Sequence, residues 1–134
     1  MRVLAIDHGS ARCGCAISDP TGTIARPLGV IEPPEPRAVA RLVTEHGAEF
    51  VVVGLPVSLS GAEGAQAGEA RAFRDALAAI LDVPVETYDE RLTTRLAERS
   101  VRSGADAPPD ALAAAHLLES FLRSQAGAGE EPPE

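Results

Sequence analysis

The order of extended and helical segments constrains this fold more than any other feature of the sequence. Three short extended segments come first, separated by turn sequences such as DHGS at 7–10 and DPTG at 19–22. Beyond the Pro-rich run at 33–36, helical and extended patterns alternate. We predict strands at 3–6, 13–18, 25–31, 50–53 and 83–88, and helices at 37–46, 69–81, 92–101 and 110–124.

This order predicts an α/β fold with one mixed five-stranded sheet. Three strands joined by short turns form an antiparallel meander, whereas strands that alternate with helices pair in parallel through right-handed crossovers. Helices would then cover both faces of the sheet. The strand at 50–53 is a continuous apolar run, which is typical of a central strand. The ribonuclease H-like fold is the best match to this topology.

The length and composition fit one domain. The chain has 134 residues, of which 45% are hydrophobic but only 3% aromatic, so the core must be built from Ala, Val, Leu and Ile. We predict a single domain at 1–124 and a disordered acidic tail at 125–134, where small residues, Glu and Pro predominate. Cys13 and Cys15 lie two apart, which indicates one buried strand face rather than a disulfide framework.

The net charge limits the possible partners. It is −8, and all twelve basic residues are Arg. Such a charge argues against a general nucleic-acid coat protein or a membrane-surface binder. It does not exclude a nuclease, because bound metal ions can supply positive charge. The N-terminal apolar run is too short for a signal peptide and no segment approaches a membrane span, so we expect a cytoplasmic protein with no membrane partner.

Four carboxylates stand where a sheet of this kind places its ligands. Asp7 ends the first strand, Asp89 and Glu90 end the fifth, and Asp110 opens the last helix. Ligands of such sheets collect beyond the carboxyl ends of the strands. Adjacent strand residues point to opposite faces, so only one of Asp89 and Glu90 can aim at the site unless the strand has already ended. The apolar stripe that follows Asp110 at helical spacing would carry its carboxylate toward the edge of the sheet.

Carboxylates gathered in this way predict a divalent-metal site. Together they would repel and raise one another's pKa, and Mg²⁺ or Mn²⁺ would relieve that repulsion. Two such ions can activate water and stabilise the leaving oxygen of a phosphodiester. Each residue also has a local interpretation: Asp7 as a turn former, Asp110 as a helix cap or first-turn acid, and 89–91 as a solvated charge cluster.

Four segments resemble the YqgF family, also called RuvX, of Holliday junction resolvases and pre-16S rRNA nucleases. They are LAIDHG at 4–9 continuing through RCG at 12–14, VVGLP at 52–56, DERLTT at 89–94 and DALAA at 110–114. The resemblance covers about residues 1–124 and implies a ribonuclease H-like metal nuclease. It implies that Asp7, Glu90 and Asp110 bind metal and are catalytic, with Asp89 as the alternate at the second position.

The resemblance also implies nucleic-acid contacts. Arg91 would hold a phosphate or tie the motif to the neighbouring carboxylate, and the Thr pair would form a helix N-terminus that faces an anion or simply caps the helix. An Arg row at 91, 95, 99 and 102 forms one helical stripe that could grip a strand, or else a solvated surface. The predicted nucleic-acid-binding residues are Arg12, Arg91, Thr93, Thr94, Arg95 and Arg99. The chain departs from the family at Ser58, where Asn is expected, and at 103–109, which lacks basic residues.

Several functions remain open from the sequence. The favoured one is a metal-dependent nuclease acting on structured RNA, in 5′-end maturation of pre-16S rRNA. The alternatives are a Holliday junction resolvase, for which a homodimer would suit a symmetric junction, and a non-catalytic RNA-binding or antitermination factor. An actin-like ATPase or sugar kinase would open with a similar Asp-x-Gly-Ser loop but needs a second domain. The three His residues are assigned no role.

Overall fold

The computed structural model describes residues 1–56, 64–92 and 107–129. The elements alternate much as the sequence predicts. The strands are β1 (Val3–His8), β2 (Cys13–Ser18), β3 (Ala25–Ile31), β4 (Phe50–Leu55) and β5 (Val85–Asp89), and the helices are α1 (Pro36–His46), α2 (Ala65–Ile80) and α3 (Pro109–Gly129). A 3₁₀ turn, Glu90–Leu92, follows β5 directly.

The five strands form one mixed sheet in the order β3-β2-β1-β4-β5. β2 is antiparallel to both β1 and β3, whereas β4 is parallel to β1 and β5. The predicted mixed sheet is therefore confirmed, with β1 at its centre. Leu4 is paired with Ile17 on one side and with Val51 on the other. The carboxyl ends of β1, β4 and β5 consequently lie at one edge of the sheet.

The sheet separates two hydrophobic layers. On one face, Leu4 and Ile6 pack with side chains of α1 and α2 such as Val39 and Leu77. On the other, Val3, Ala5 and Val52 pack with α3. The alternation of strand side chains produces this division, and burial of each large aliphatic side chain contributes about 1.5–3 kcal/mol. Both cysteines are buried on the face of α1 and α2, as expected, and are not disulfide-bonded.

Two turns have the geometry that their sequences predict. In the DPTG turn, the Asp19 carboxylate accepts hydrogen bonds from the backbone N–H groups of Thr23 and Ile24, at 2.7 and 2.9 Å. Gly22 takes the positive φ of 72° that this turn requires. Gly47 ends α1 in the left-handed conformation, with φ 64°.

Several predicted boundaries are wrong by a few residues. α2 begins at Ala65 instead of 69, and β5 covers 85–89 instead of 83–88. β4 does not end at Val53: Gly54 and Leu55 still pair with β5, and the strand stops before Pro56, which has no N–H for the ladder. Residues 93–106, which include most of the predicted helix 92–101, lie outside the described residues. Leu92, its predicted first residue, belongs to the 3₁₀ turn.

The last helix is longer than predicted. It runs to Gly129 and so includes the first five residues of the predicted tail at 125–134. The segment 124–129 reads SQAGAG and contains no proline, so nothing in it forces a helix to stop. Residues 130–134 lie outside the described part of the chain. Within that part, no helix is long and apolar enough to cross a bilayer.

Candidate active site

Two carboxyl groups meet at the edge of the sheet where β1 and β5 end. Asp7 is the penultimate residue of β1, and strand alternation places it on the face covered by α3. Glu90 follows the last residue of β5 and opens the 3₁₀ turn. The two side chains are hydrogen-bonded to each other, with protonated Glu90 as donor and the Asp7 carboxylate as acceptor. Residues 83 positions apart in sequence thus share one proton.

The environment of this pair disfavours a second negative charge. Burial, followed by the charge of Asp7, the hydrogen bond with Asp7 and the charge of Asp89, raises the pKa of Glu90 to about 7. Burial also raises the pKa of Asp7; its hydrogen bond with Glu90 opposes that shift, and the charge of Asp110 adds to it. The pair consequently holds a proton near neutral pH in the absence of any other positive charge.

Gly54 provides the space through which Glu90 reaches Asp7. β4 lies between β1 and β5, and Gly54 is near its carboxyl end. A Cβ atom at this position would lie 2.8 Å from Glu90 Oε2 and 2.9 Å from Leu117 Cδ2. Any side chain here would therefore displace either the carboxylate or the packing of α3. The glycine allows the Glu90 side chain to lie over β4.

Asp89, the other acid of the pair at 89–90, has a different environment. Its carboxylate accepts hydrogen bonds from the Arg91 backbone N–H at 2.8 Å and from Arg91 Nη2 at 2.6 Å. These bonds lower the pKa of Asp89 below its ordinary value. Of the two adjacent acids, Glu90 contacts Asp7 and Asp89 pairs with Arg91. Arg91 thus ties the motif to its neighbouring carboxylate, one of the two roles expected for it.

Asp110 lies in the first turn of α3, where its negative charge suits the helix dipole. Its backbone is packed against β2: a Cβ atom on Gly14 would lie 1.8 Å from the Asp110 carbonyl oxygen. Its side chain forms an ion pair with Arg12, with Nε and Oδ2 2.6 Å apart. Arg12 Nη1 also lies 3.5 Å from Glu32 Oε2. Asp110 thus influences Asp7 through its charge while its carboxylate is held by Arg12.

These residues fit a divalent cation by the chemistry of their donors. Asp7, Glu90 and Asp110 offer hard carboxylate oxygens, and a cation would take the place of the proton between Asp7 and Glu90. The Asp110 carboxylate, however, is paired with Arg12 and does not lie beside those of Asp7 and Glu90. Within residues 1–56, 64–92 and 107–129, no three His, Cys, Asp or Glu side chains are gathered closely enough to hold a metal ion.

The sequence model of one family, described as "RuvX: Holliday junction resolvase", matches residues 1–124. The chain belongs to the RuvX family. This confirms the resemblance drawn from its four motifs.

Similar proteins agree with this membership. Proteins of Chloroflexus aggregans, Pelotomaculum thermopropionicum and Thermobifida fusca are each named "Putative pre-16S rRNA nuclease". The first is 45% identical, over 90% of this chain and 92% of the relative. The second is 40% identical over 93% and 88%, and the third 52% identical over 76% and 66%. The chain is therefore a member of a family of nucleases, which are hydrolases of nucleic acids.

Solved structures confirm the fold. Thermus thermophilus RuvC in complex with a Holliday junction substrate superposes with a TM-score of 0.65 at 23% identity, over 95% of this chain and 96% of the other. The complex of Fowlpox virus resolvase with Holliday junction DNA superposes with a TM-score of 0.52 at 13% identity, over 93% and 99%. The predicted ribonuclease H-like α/β fold is thus found in this RuvX-family chain.

The remaining sequence predictions have mixed outcomes. Thr93, Thr94, Arg95, Arg99 and Arg102 lie outside the described residues, as does Ser58. His8 does not join the carboxylates, because its ring packs against Phe73 of α2 with centroids 4.8 Å apart. Burial lowers the pKa of this histidine.

Two glycines shape this RuvX-family site, and residue-type reasoning did not assign them that role. The predicted strand at 50–53 ends just before Gly54, and Gly14 belongs to the RCG motif at 12–14. A signal for both existed in the sequence, since glycine inside a strand often marks the close approach of another group. The glycines alone do not indicate which group approaches them, namely Glu90 at Gly54 and the Asp110 backbone at Gly14.

Proposed function

We propose that this chain is a divalent-metal-dependent nuclease that hydrolyses phosphodiester bonds during 5′-end maturation of pre-16S rRNA. This role in ribosome biogenesis would place it in the cytoplasm. The observation that carries the proposal is the hydrogen-bonded pair of Asp7 and Glu90 at the carboxyl edge of the sheet, within electrostatic reach of Asp110.

Asp7, Glu90 and Asp110 would hold Mg²⁺ or Mn²⁺. When bound, the metal would supply an activated water and would stabilise the leaving oxygen of the phosphodiester. Metal binding would require the proton that Glu90 shares with Asp7 to pass to solvent, so that both carboxylates could act as ligands. The apolar packing of α3 against the sheet shields this pair in part from bulk water, and both side chains are half-buried. Asp89, the alternate ligand from the sequence, instead orients Arg91.

The nucleic acid would be held by arginine in a chain that has no lysine. Arg12 and Arg91 flank the carboxylates and present planar donors that suit phosphate. Thr93, Thr94, Arg95 and Arg99 complete the proposed contact surface on sequence grounds alone. Two bound cations would offset the charge of the carboxylates beside which a phosphate must lie.

The family description favours a second candidate substrate, branched DNA. A resolvase of four-way junctions would use the same carboxylates, and a homodimer would match the symmetry of the junction. The names of the similar proteins favour pre-16S rRNA, which is why we place RNA first. The two candidates differ in substrate and oligomeric state but share the chemistry.

Parallel cleavage assays on a labelled pre-16S 5′ leader RNA and on a four-way DNA junction test both candidate substrates, each with Mg²⁺, Mn²⁺ or EDTA. We expect metal-dependent products from the RNA, and a rate reduced about 100-fold or more in Asp7→Asn, Glu90→Gln and Asp110→Asn. Asp75→Asn is the matched control, because Asp75 is an exposed acid on α2 paired with Arg74. Asp89→Asn should retain more activity than Glu90→Gln.

Two outcomes would contradict the proposal. If Asp7→Asn and Asp110→Asn cut both substrates as well as the wild type, the carboxylates are not the catalytic groups. If the protein binds RNA tightly in EDTA and yields no product with either metal, it is a non-catalytic RNA-binding factor. Products from the junction alone would favour the resolvase.

A further inference from the structure

Arg12 holds the carboxylate that the proposed metal site lacks. Its Nε lies 2.6 Å from Asp110 Oδ2. Asp7 and Glu90 are already hydrogen-bonded to each other, whereas Asp110 acts on Asp7 only through its charge. The Arg12–Asp110 ion pair therefore competes directly with completion of the three-carboxylate group.

The backbones of both partners are closely packed against a glycine, and their side chains are exposed. The Gly9 N–H donates to the Arg12 carbonyl at 2.9 Å, and a Cβ atom on Gly9 would lie 2.8 Å from that oxygen. The Asp110 backbone is packed on Gly14, as described above. Helix α3 cannot approach β2 further. A change of partner by Asp110 is thus a side-chain rotation rather than a shift of the helix.

Arg12 is open to a competing anion. The Arg12 side chain is 51% exposed, and that of Asp110 is 43% exposed. The second partner of Arg12, Glu32, has a side chain that is 63% exposed, and the Arg12–Glu32 contact is longer, at 3.5 Å. Ion pairs this exposed are weak, and a guanidinium binds phosphate in the same bidentate manner as carboxylate. A phosphate beside the site could therefore replace Asp110 as the partner of Arg12.

We propose that Arg12 is a positioning residue that holds Asp110 in the free protein and releases it to the metal site when Arg12 binds a phosphate of the nucleic-acid substrate. The inference rests on the proposed function, because it requires Asp110 to be a metal ligand. This exchange makes metal binding and nucleic-acid binding mutually favourable. A phosphate on Arg12 frees Asp110 for the metal, and a metal on Asp110 frees Arg12 for the phosphate. A free protein would thereby hold metal less tightly than a substrate-bound one.

The first test measures the Mn²⁺ affinity of the free protein by calorimetry. Arg12→Gln is expected to bind Mn²⁺ roughly fivefold more tightly than the wild type, which is the upper range for loss of an exposed ion pair. Arg12→Lys, which keeps the charge, should return toward the wild-type affinity. Arg37→Gln is the matched control: it removes the same charge from an exposed position on α1 and should leave the affinity unchanged.

A double variant separates this mechanism from a general effect of charge. In the Asp110→Asn background, Arg12→Gln should no longer alter Mn²⁺ affinity, because the carboxylate that it releases is gone. An equal gain in both backgrounds would overturn the proposal, as would an unchanged or weaker affinity in Arg12→Gln alone. Arg12→Met, which keeps the aliphatic stem, repeats the measurement if the Gln variant does not fold.

A second test measures the coupling itself. Binding of a labelled 5′ leader RNA is followed by anisotropy in EDTA and in Ca²⁺, which serves as a non-hydrolytic probe. Ca²⁺ should tighten RNA binding in the wild type and in Arg37→Gln more than in Arg12→Gln. Equal effects of Ca²⁺ in all three would overturn the coupling. Neither test needs turnover, so a wild type that cleaves nothing would refute the proposed function and leave the role of Arg12 to be decided by affinity.

Discussion

Asp89 and Glu90 are adjacent in the chain and similar in chemistry, yet their surroundings shift their pKa values in opposite directions. The Asp89 carboxylate accepts hydrogen bonds from Arg91, which lowers its pKa. The Glu90 carboxyl is half-buried beside Asp7, and this partial burial and the charge of Asp7 raise its pKa to about 7. The end of β5 at Asp89 separates them, because Glu90 already belongs to the following turn. One residue of backbone thus distinguishes a surface ion pair from a member of the site.

The pKa of Glu90 predicts how the stability of the metal-free protein depends on pH. Because the folded-state pKa lies above the unfolded value of 4.5, the folded protein binds more protons between about pH 4.5 and 7 and loses stability as pH rises through that range. Glu90→Gln removes this loss. We expect the variant to be more stable than the wild type by about 2 kcal/mol at pH 8 in EDTA, after allowing for partial solvent screening, and to show little gain at pH 4.

Urea denaturation at the two pH values measures this difference, and Asp89→Asn is the contrasting variant. The pKa of Asp89 is lowered, so its stabilising effect is present above its unfolded pKa and is lost as pH falls. Asp89→Asn should therefore lower stability at pH 8 rather than raise it. A Glu90→Gln variant that is no more stable than the wild type at pH 8 would show that the Glu90 carboxyl does not meet Asp7 in solution.

At the scale of elements, the contact between α3 and β2 determines where Asp110 lies. The first turn of the helix rests on Gly14, with no room for a side chain between them. Further along, Tyr88 of β5 packs edge-on against Phe121 of α3, and its hydroxyl is 2.9 Å from Ser120 Oγ. The helix is thus fixed to the sheet near both its beginning and its middle. Its first-turn carboxylate is positioned by packing that itself involves no charge.

This contact predicts the effect of one methyl group. Gly14→Ala would place its Cβ 1.8 Å from a backbone oxygen that cannot rotate away, so α3 or β2 must shift. We expect a loss of about 3 kcal/mol in the free energy of unfolding, measured by urea denaturation. Gly68→Ala is the matched control, because Gly68 lies in α2 with open space around it, and there the change should stabilise by about 0.5–1 kcal/mol. Equal effects at the two glycines would contradict the close packing at Gly14.

The elements themselves could largely be predicted from the sequence. Period, turn residues and the alternation of helix and strand suffice for the order of the elements and the mixed sheet, because each is a local signal or a general rule of connection. Their ends were less predictable. Gly54 resembles a strand terminator in isolation, but pairing with Tyr88 keeps it in β4. Hydrogen bonds between strands that are distant in sequence cannot be predicted from a local window of sequence.

The residues of the candidate site could be proposed from the sequence, but their contacts could not. Asp7, Glu90 and Asp110 could be named because strand ends and a helix start converge at one edge of the sheet. The partner of Asp110 could not, because Arg12 is 98 residues away and its own motif is equally compatible with a phosphate contact. The choice between Asp89 and Glu90 likewise depended on where β5 ends. Side-chain partners between distant segments require the three-dimensional structure.

For the whole molecule, the net charge of −8 acquires a partial explanation. Three of the acidic residues form the candidate site and Asp89 is adjacent to it; Asp89 and Asp110 each pair with an arginine. Asp7 and Glu90 share a proton instead. The structure therefore tolerates these carboxylates by two means, an arginine partner or a shared proton. Bound cations would replace both the shared proton and the Arg12 contact, and would join β1, the end of β5 and α3.

By joining three separate elements, the proposed metal ion would stabilise the entire fold. A ligand at 100 times its dissociation constant stabilises the folded state by about 2.7 kcal/mol. For a domain of this size we expect Mn²⁺ at that excess to raise Tm by roughly 10 °C, measured by calorimetry at pH 8. Asp7→Asn should lose most of this shift, whereas Asp75→Asn, on α2, should keep it. An equal shift in both variants would mean that Mn²⁺ binds elsewhere, and the carboxylates at the end of β1 and β5 would then not be the metal ligands.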